Sequence, residues 1–292
     1  MGARGGSWLA VLFAAGCYHP TVQLDVPCTA EGACPSGQMC VSDHCVADGA
    51  PIDSSIVPDA RSDAGLAVAD AAIDAPAPAT IVFKSELHVE IPAAQPVTSI
   101  VVPRPQCPKG AVMIGTIAMG VSGAQVNPTL SAPVGWTLVR RLDHPFDLAL
   151  AVYVHVADTT DPGQYTWTMS NLGEGVAWIA CYLNVDPVNP IADDNGIVES
   201  SLGPVYAYPS VAPTVANTMI LGVVAGHSGA VTTWTPPPGT TERIDVQNGT
   251  SRSGTLIDHL DLGTGMTAMS NETASHVQDF ALLEVLALRP KP

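Results

Sequence analysis

From Thr80 onward the apolar residues fall into short runs with the two-residue period of strands. Ile81-Val82-Phe83, the alternating Leu87, Val89 and Ile91, and Ile100-Val101-Val102 are rich in β-branched residues and punctuated by proline. Stronger runs follow over residues 111–121, 136–140, 148–156, 165–169 and 176–185. Leu148, Leu150, Val152, Val154 and Val156 share one face of their run. Turn residues such as Asp161-Pro162-Gly163 separate the runs. No convincing amphipathic helix interrupts them. The pattern predicts an all-β domain over residues 80–292.

That domain carries a weak internal repeat. Val112-Met113-Ile114-Gly115-Thr116-Ile117-Ala118 resembles Thr218-Met219-Ile220-Leu221-Gly222-Val223-Val224-Ala225. Pro133-x-Gly135-Trp136-Thr137 resembles Pro238-Gly239-Thr240-Thr241, and Met169-Ser170-Asn171 recurs as Met269-Ser270-Asn271. The run 176–185 matches 279–288 in role and place. The spacing drifts between roughly 100 and 106 residues, as expected when loops diverge after duplication. Two antiparallel halves of about five strands each predict a duplicated β-sandwich, because one half alone leaves an apolar face exposed. Packed together, the halves are expected to make one core.

The order of these motifs, from Val112 through Gly135-Trp136-Thr137, Gln164-Tyr165-Thr166-Trp167-Thr168 and Cys181-Tyr182-Leu183-Asn184-Val185-Asp186-Pro187 to Ala287-Leu288-Arg289-Pro290, resembles the jelly-roll-like β-sandwich domains of bacterial secreted and surface proteins. The resemblance spans roughly residues 80–290. It implies a fold, and a non-catalytic role in binding glycans or other surface ligands. It supplies no catalytic residue.

The N-terminus changes the picture. Arg4 precedes the apolar run Trp8-Leu9-Ala10-Val11-Leu12-Phe13-Ala14-Ala15-Gly16, which ends at Cys17. The run is too short for a bilayer span of about 20 residues and fits a signal-peptide core. Ala14-Ala15-Gly16-Cys17 resembles the lipobox of bacterial lipoproteins, although leucine is commonest where Ala14 stands. The resemblance implies removal of residues 1–16, a lipid on Cys17 and a membrane anchor. Tyr18, standing where aspartate often marks inner-membrane retention, favours the outer membrane or cell surface. Ordinary secretion with Cys17 as a free thiol is the alternative.

Seven cysteines leave six once Cys17 is lipidated. Cys28, Cys34, Cys40 and Cys45 crowd into residues 17–45, a segment too short to bury a core of its own. Two disulfides would each contribute about 2–3 kcal/mol there. Zinc, with His44 beside Cys45, is the competing reading, but the paired C-x2-C spacing is missing. Cys28–Cys40 with Cys34–Cys45 is one of three connectivities. The spacing resembles small cysteine-rich modules behind the lipid anchor of surface lipoproteins from large-genome soil bacteria. Cys107 and Cys181 either pair or remain buried thiols. Residues 46–79, dominated by Asp, Ala, Pro and Ser, read as a disordered spacer.

A net charge of −16 with 11 Lys and Arg argues against a nucleic-acid partner, which needs a basic patch. Candidate chemistry is sparse. Gly226-His227-Ser228-Gly229-Ala230 lacks the final glycine and the following helix of a nucleophile elbow. Asp143-His144 and Asp258-His259 are neighbours that a strand directs to opposite faces. Asp186, Asn189, Asp193, Asp194, Asn195 and Gly196 gather oxygen ligands suited to calcium, though not in EF-hand spacing. Trp234, Tyr206 and Tyr208 are the candidates for stacking on sugar rings, with Trp234 expected at the surface beside Thr235-Pro236-Pro237-Pro238. A structural envelope protein and a secreted hydrolase are the alternatives.

Overall fold

The computed structural model describes residues 26–27, 34, 38–41, 44–47, 79–121, 126–145, 147–249 and 251–292. The expected signal peptide, Cys17, Cys28 and spacer residues 48–78 lie outside the described residues. The chain divides into two compact units, Met1–Asp70 and Ala71–Pro292. In the first, β1 (Val26–Pro27), β2 (Gln38–Val41) and β3 (His44–Ala47) form a sheet in the order β1-β3-β2. Its register sets Cys40 opposite Cys45. Cys34 is disulfide-bonded. The strand β3 runs to Ala47, one residue past the predicted start of the spacer.

The second unit is all-β. Its first half contains β4 (Val82–Ile91), β5 (Val97–Pro103), β6 (Val112–Gly120), β7 (Leu130–Ser131), β8 (Thr137–His144), β9 (Leu148–Val156) and β10 (Gln164–Leu183). Its second half contains β11 (Ile191–Glu199), β12 (Gly203–Tyr206), β13 (Thr218–His227), β14 (Trp234–Thr235), β15 (Thr241–Gln247), β16 (Arg252–Asp261), β17 (Glu272–Gln278) and β18 (Phe280–Leu288).

The two halves have one topology. The five-stranded order β4-β10-β6-β9-β8 reappears as β11-β18-β13-β16-β15, and β12-β17-β14 copies the pairing of β5 and β7 with the start of β10. Even the irregularities recur. Bulges interrupt β8 between Leu138 and Arg140 and β15 between Glu242 and Ile244. Gly135 and Gly239 sit at φ 88° and 86° in equivalent turns before those strands, a conformation that glycine adopts without Cβ strain. One expectation needs correction. No Gly-rich turn separates the runs 165–169 and 176–185: β10 continues for 20 residues, its start pairing with β5 and β7 and its end with β4 and β6. In the second half that long strand is split at Asp279 into β17 and β18.

The expected single core is three clusters. A central cluster fills the space between the five-stranded sheets, with Ile114, Leu150 and Trp178 from the first half and Leu221, Leu256 and Leu286 from the second. A second lies between the first sheet and its β5–β7 cover, around Trp167, Met113 and Ile179. A third fills the corresponding space in the second half, around Tyr208, Ile220 and Leu283. The middle strands therefore have both faces covered. This is why β6, β13 and β18 read as almost continuous apolar runs, as buried strands do, while β4 and β11 at the sheet edges do not. Each fully buried Leu or Ile contributes about 1.5–3 kcal/mol. Close approach across the centre needs small residues: a Cβ at Gly254 would lie 2.8 Å from the Trp178 ring.

Of the two readings left open for Cys107 and Cys181, the disulfide is present and closes a separation of 74 residues within the second cluster. Ala287 takes the place of Cys181 in the other half, opposite Ile220 as Cys181 stands opposite Met113.

Charged groups cross the central layer. Arg252 on β16 is 2% exposed and pairs with Glu174 on β10 and, at 2.6 Å, with Asp147 in the β8–β9 turn. Asn248 braces the same corner, accepting from the Arg252 backbone at 2.8 Å and donating to the Ile91 carbonyl at 3.0 Å. On another side of the layer, Tyr182 donates to Asp258 at 3.2 Å, Arg243 donates to Asp258 at 2.8 Å, and the Arg243 guanidinium lies over the Phe83 ring. Removing one member of such a buried set strands the others. Arg252→Met is expected to lower unfolding free energy by about 3–5 kcal/mol in guanidinium titration, with partial recovery on adding Glu174→Gln. An Arg252→Met protein as stable as the parent would contradict this.

Candidate functional site

Trp234, Tyr206 and Tyr208 come together, but inside the protein. Trp234 is 3% exposed, and its Nε1 donates to Ser253 Oγ at 3.1 Å. The Tyr206 ring lies 6.3 Å from it, and Tyr208 donates to buried Glu272. They form the third core cluster because β14 pairs with β17 and turns its tryptophan inward. The expectation that Trp234 is exposed is thus corrected. In the first half Trp136, Tyr165 and Trp167 occupy the corresponding layer, in edge-to-face contacts of 5.0–5.2 Å. Every described Trp and Tyr is buried, so no aromatic face among them is open for stacking on a sugar.

The calcium candidates do not converge. Residues 193–195 lie in strand β11 rather than in a loop, so neighbouring side chains diverge. Asp193 accepts from the Ala212 backbone at 2.6 Å, Asp194 pairs with Arg140 at 2.6 Å, and Asn195 donates to the Ser210 carbonyl. Asp186 accepts the backbone N–H groups of Val188 and Asn189 at 2.8 and 3.3 Å. Among the described residues no group of three or more His, Cys, Asp or Glu is placed to hold a metal ion.

The other polar motifs are also engaged elsewhere. Ser228 lies in a loop after β13, donates to the Ala230 carbonyl and meets Thr232 Oγ1 at 3.0 Å. Asp143 takes Arg141, while its neighbour His144 meets Ser200. Asp258 is held by Arg243 and Tyr182, and the Nδ1 of His259 has no partner. His155 spends both ring nitrogens, on the Gly135 carbonyl at 2.8 Å and on Asp161 at 2.9 Å, and stacks on Trp136.

One surface feature among the described residues is a groove where β8 and β9 meet the 187–191 segment. Two adjoining cavities of about 430 and 330 Å³ share Thr137, Val154, Val188 and Pro190 as walls. Val188 is 80% exposed and Val134, next to Gly135 in the wall, is 99% exposed. The Asp186 carboxylate fixes the turn that presents Val188, and Arg140 fixes Asp194 at the other end. Apolar walls with Thr137 and Asn189 at hand suit reversible binding. The sequence signal for this site was Val188 isolated between Pro187 and Asn189-Pro190, an apolar residue with no strand to belong to.

Two buried carboxyls, Glu284 and Glu272, are held towards the protonated form. Burial pushes Glu284 up to about 8, with Asp194 adding to the rise and Arg140 opposing it. Burial likewise pushes Glu272 up to about 8; the Tyr208 and Thr255 hydrogen bonds oppose it, while Asp245 and Glu242 reinforce it. In the unfolded chain both titrate near 4.5. The folded state therefore binds more protons between those values, and stability declines as pH rises from about 4.5 to about 8. Denaturation midpoints should fall across that window, and Glu284→Gln or Glu272→Gln should flatten the slope and raise the midpoint at pH 8. An unchanged slope in both variants would count against the assignment.

No family model, curated protein or solved structure matches this chain.

Proposed function

We propose that the chain is an exported lipoprotein, anchored through Cys17 at the outer membrane or cell surface, that displays the Ala71–Pro292 unit as a non-catalytic binding or adhesion module. Its ligand is a glycan or a surface protein, and nucleic acid is not a partner. The observation that carries the reading is the groove beside Val188, where exposed apolar side chains are held by turns that are themselves hydrogen-bonded. An exposed valine on a rigid turn costs little order to bury against a ligand. The burial of the described Trp and Tyr side chains shifts glycan recognition away from ring stacking and towards hydrogen bonds and C–H contacts. A structural envelope role is the second reading, favoured by how fully the side chains of the middle strands are committed to packing.

Two measurements test the proposal. Cys17→Ser should move the protein from the membrane fraction to the soluble exported fraction, since stable anchoring depends on acyl chains; retention in the membrane would refute the anchor. Val188→Asp should weaken binding on a glycan array or to purified envelope material about tenfold, with the thermal midpoint unchanged. Absence of binding by the parent protein across both panels would leave the structural role.

A further inference from the structure

A second cavity, of about 350 Å³, lies at the C-terminal end of β18 and includes Arg289. Its polar walls are Arg289, Asp186 and Asn217; Val215, Ala216 and Pro290 are apolar. The segment bearing Arg289 is zipped to the chain between the halves. Arg289 donates its backbone N–H to the Pro190 carbonyl at 2.8 Å, accepts from Asp186 at 2.9 Å, and Lys291 donates to the Asn184 carbonyl at 2.8 Å. The guanidinium is therefore mounted on a fixed backbone.

Its side chain stands apart from the other described arginines. Arg104, Arg140, Arg141, Arg243 and Arg252 each pair with a carboxylate, whereas Arg289 has no such partner and its Nε is buried without a hydrogen bond. In a chain with net charge −16, carboxylates are abundant, so an unpaired, partly buried guanidinium is a costly arrangement unless something completes it. Lys291 lines the neighbouring cavity, together with Lys109, which is paired with Asp158 at 3.2 Å.

We infer that the Arg289 cavity takes the carboxylate of an acidic sugar, a uronate residue of a surface glycan. This rests on the displayed binding module proposed above and specifies its ligand. The guanidinium offers two parallel N–H donors to a carboxylate. The Asp186 carboxylate, whose Oδ1 is already committed to the Val188 and Asn189 N–H groups, and the Asn217 amide are suited to sugar hydroxyls. Val215, Ala216 and Pro290 offer small apolar surfaces to the C–H face of the ring. The cavity volume fits one or two sugar units.

Isothermal titration of the full-length protein with trigalacturonate, its methyl ester and glutarate tests this. Measurable trigalacturonate binding is expected, about tenfold or more weaker for the methyl ester and for Arg289→Ala, and intermediate for Arg289→Lys. Arg289→Gln, with its thermal midpoint recorded, controls for folding. No trigalacturonate binding, binding unchanged in Arg289→Ala, or glutarate bound as tightly as trigalacturonate would overturn the inference. Neutral glycans bound by the parent and lost in Val188→Asp would, with any of those results, leave the proposed function standing and remove only the acidic-sugar site.

Discussion

The packing of one five-stranded sheet against the other is the constraint on which the second unit depends. Each half covers one face of its large sheet with its own short strands, but the opposite face has no cover within that half. Ile114, Leu150 and Trp178 leave water only when Leu221, Leu256 and Leu286 arrive opposite them. The halves are therefore not independent domains on a string. They behave as a dimer fused in one chain, with β8 beside β11 and β15 beside β4, as a twofold arrangement requires. Apolar contact alone tolerates sliding, whereas the charges crossing the layer do not. Arg252 meets Glu174 and Asp147 only in one alignment, and Asp258 meets Tyr182 and Arg243 only in the same one. Buried ion pairs contribute little net stability, so their effect here is to penalise wrong registers.

Much of this was legible in the sequence because duplication writes the same instructions twice. The glycine before β8 and the glycine before β15, the methionines Met169 and Met269, and the runs 112–118 and 218–225 mark equivalent places, and Met169 and Met269 pack into corresponding core clusters. The pairing of Cys107 with Cys181 was open from sequence, because a strand buried on both faces holds a thiol or a disulfide equally well; only the approach of residue 107 to β10 decides it. The continuity of β10 was hidden for a different reason. Asn171, Gly173 and Gly175 are turn residues locally, and tertiary pairing on both sides overrides that preference.

The site residues were less legible, because exposure is a property of layers and not of residue types. Trp234 sits beside three prolines and looks peripheral, yet the third core cluster needs a large ring over Gly226, where a Cβ would come within 2.7 Å of it. The acidic residues near 193 looked like a loop because Asp, Asn and Gly are turn formers; pairing with β18 draws them into an edge strand and gives Asp193, Asp194 and Asn195 separate partners. Glu284 defeats pattern reading altogether. A charged residue within Leu282-Leu283-Glu284-Val285-Leu286 signals a solvent-facing position, and the structure closes both faces of that strand.

The features unique to this molecule concentrate where the halves join. A residue inside either half has a counterpart in the other and is constrained by the shared topology. The segment from Asn184 to Pro190 has no such counterpart, since it connects the end of β10 to the start of β11. It supplies Pro187, Val188 and Pro190 to the groove and Asp186 to the Arg289 cavity. A single carboxylate links the two surfaces: Asp186 holds the turn that lifts Val188 on one side and lines the Arg289 cavity on the other. Duplication created a stable double core. The joint it left over sends Val185 into the central cluster and then makes a hydrogen-bonded turn at the surface, which is where a packed scaffold can accommodate recognition without loss of its fold.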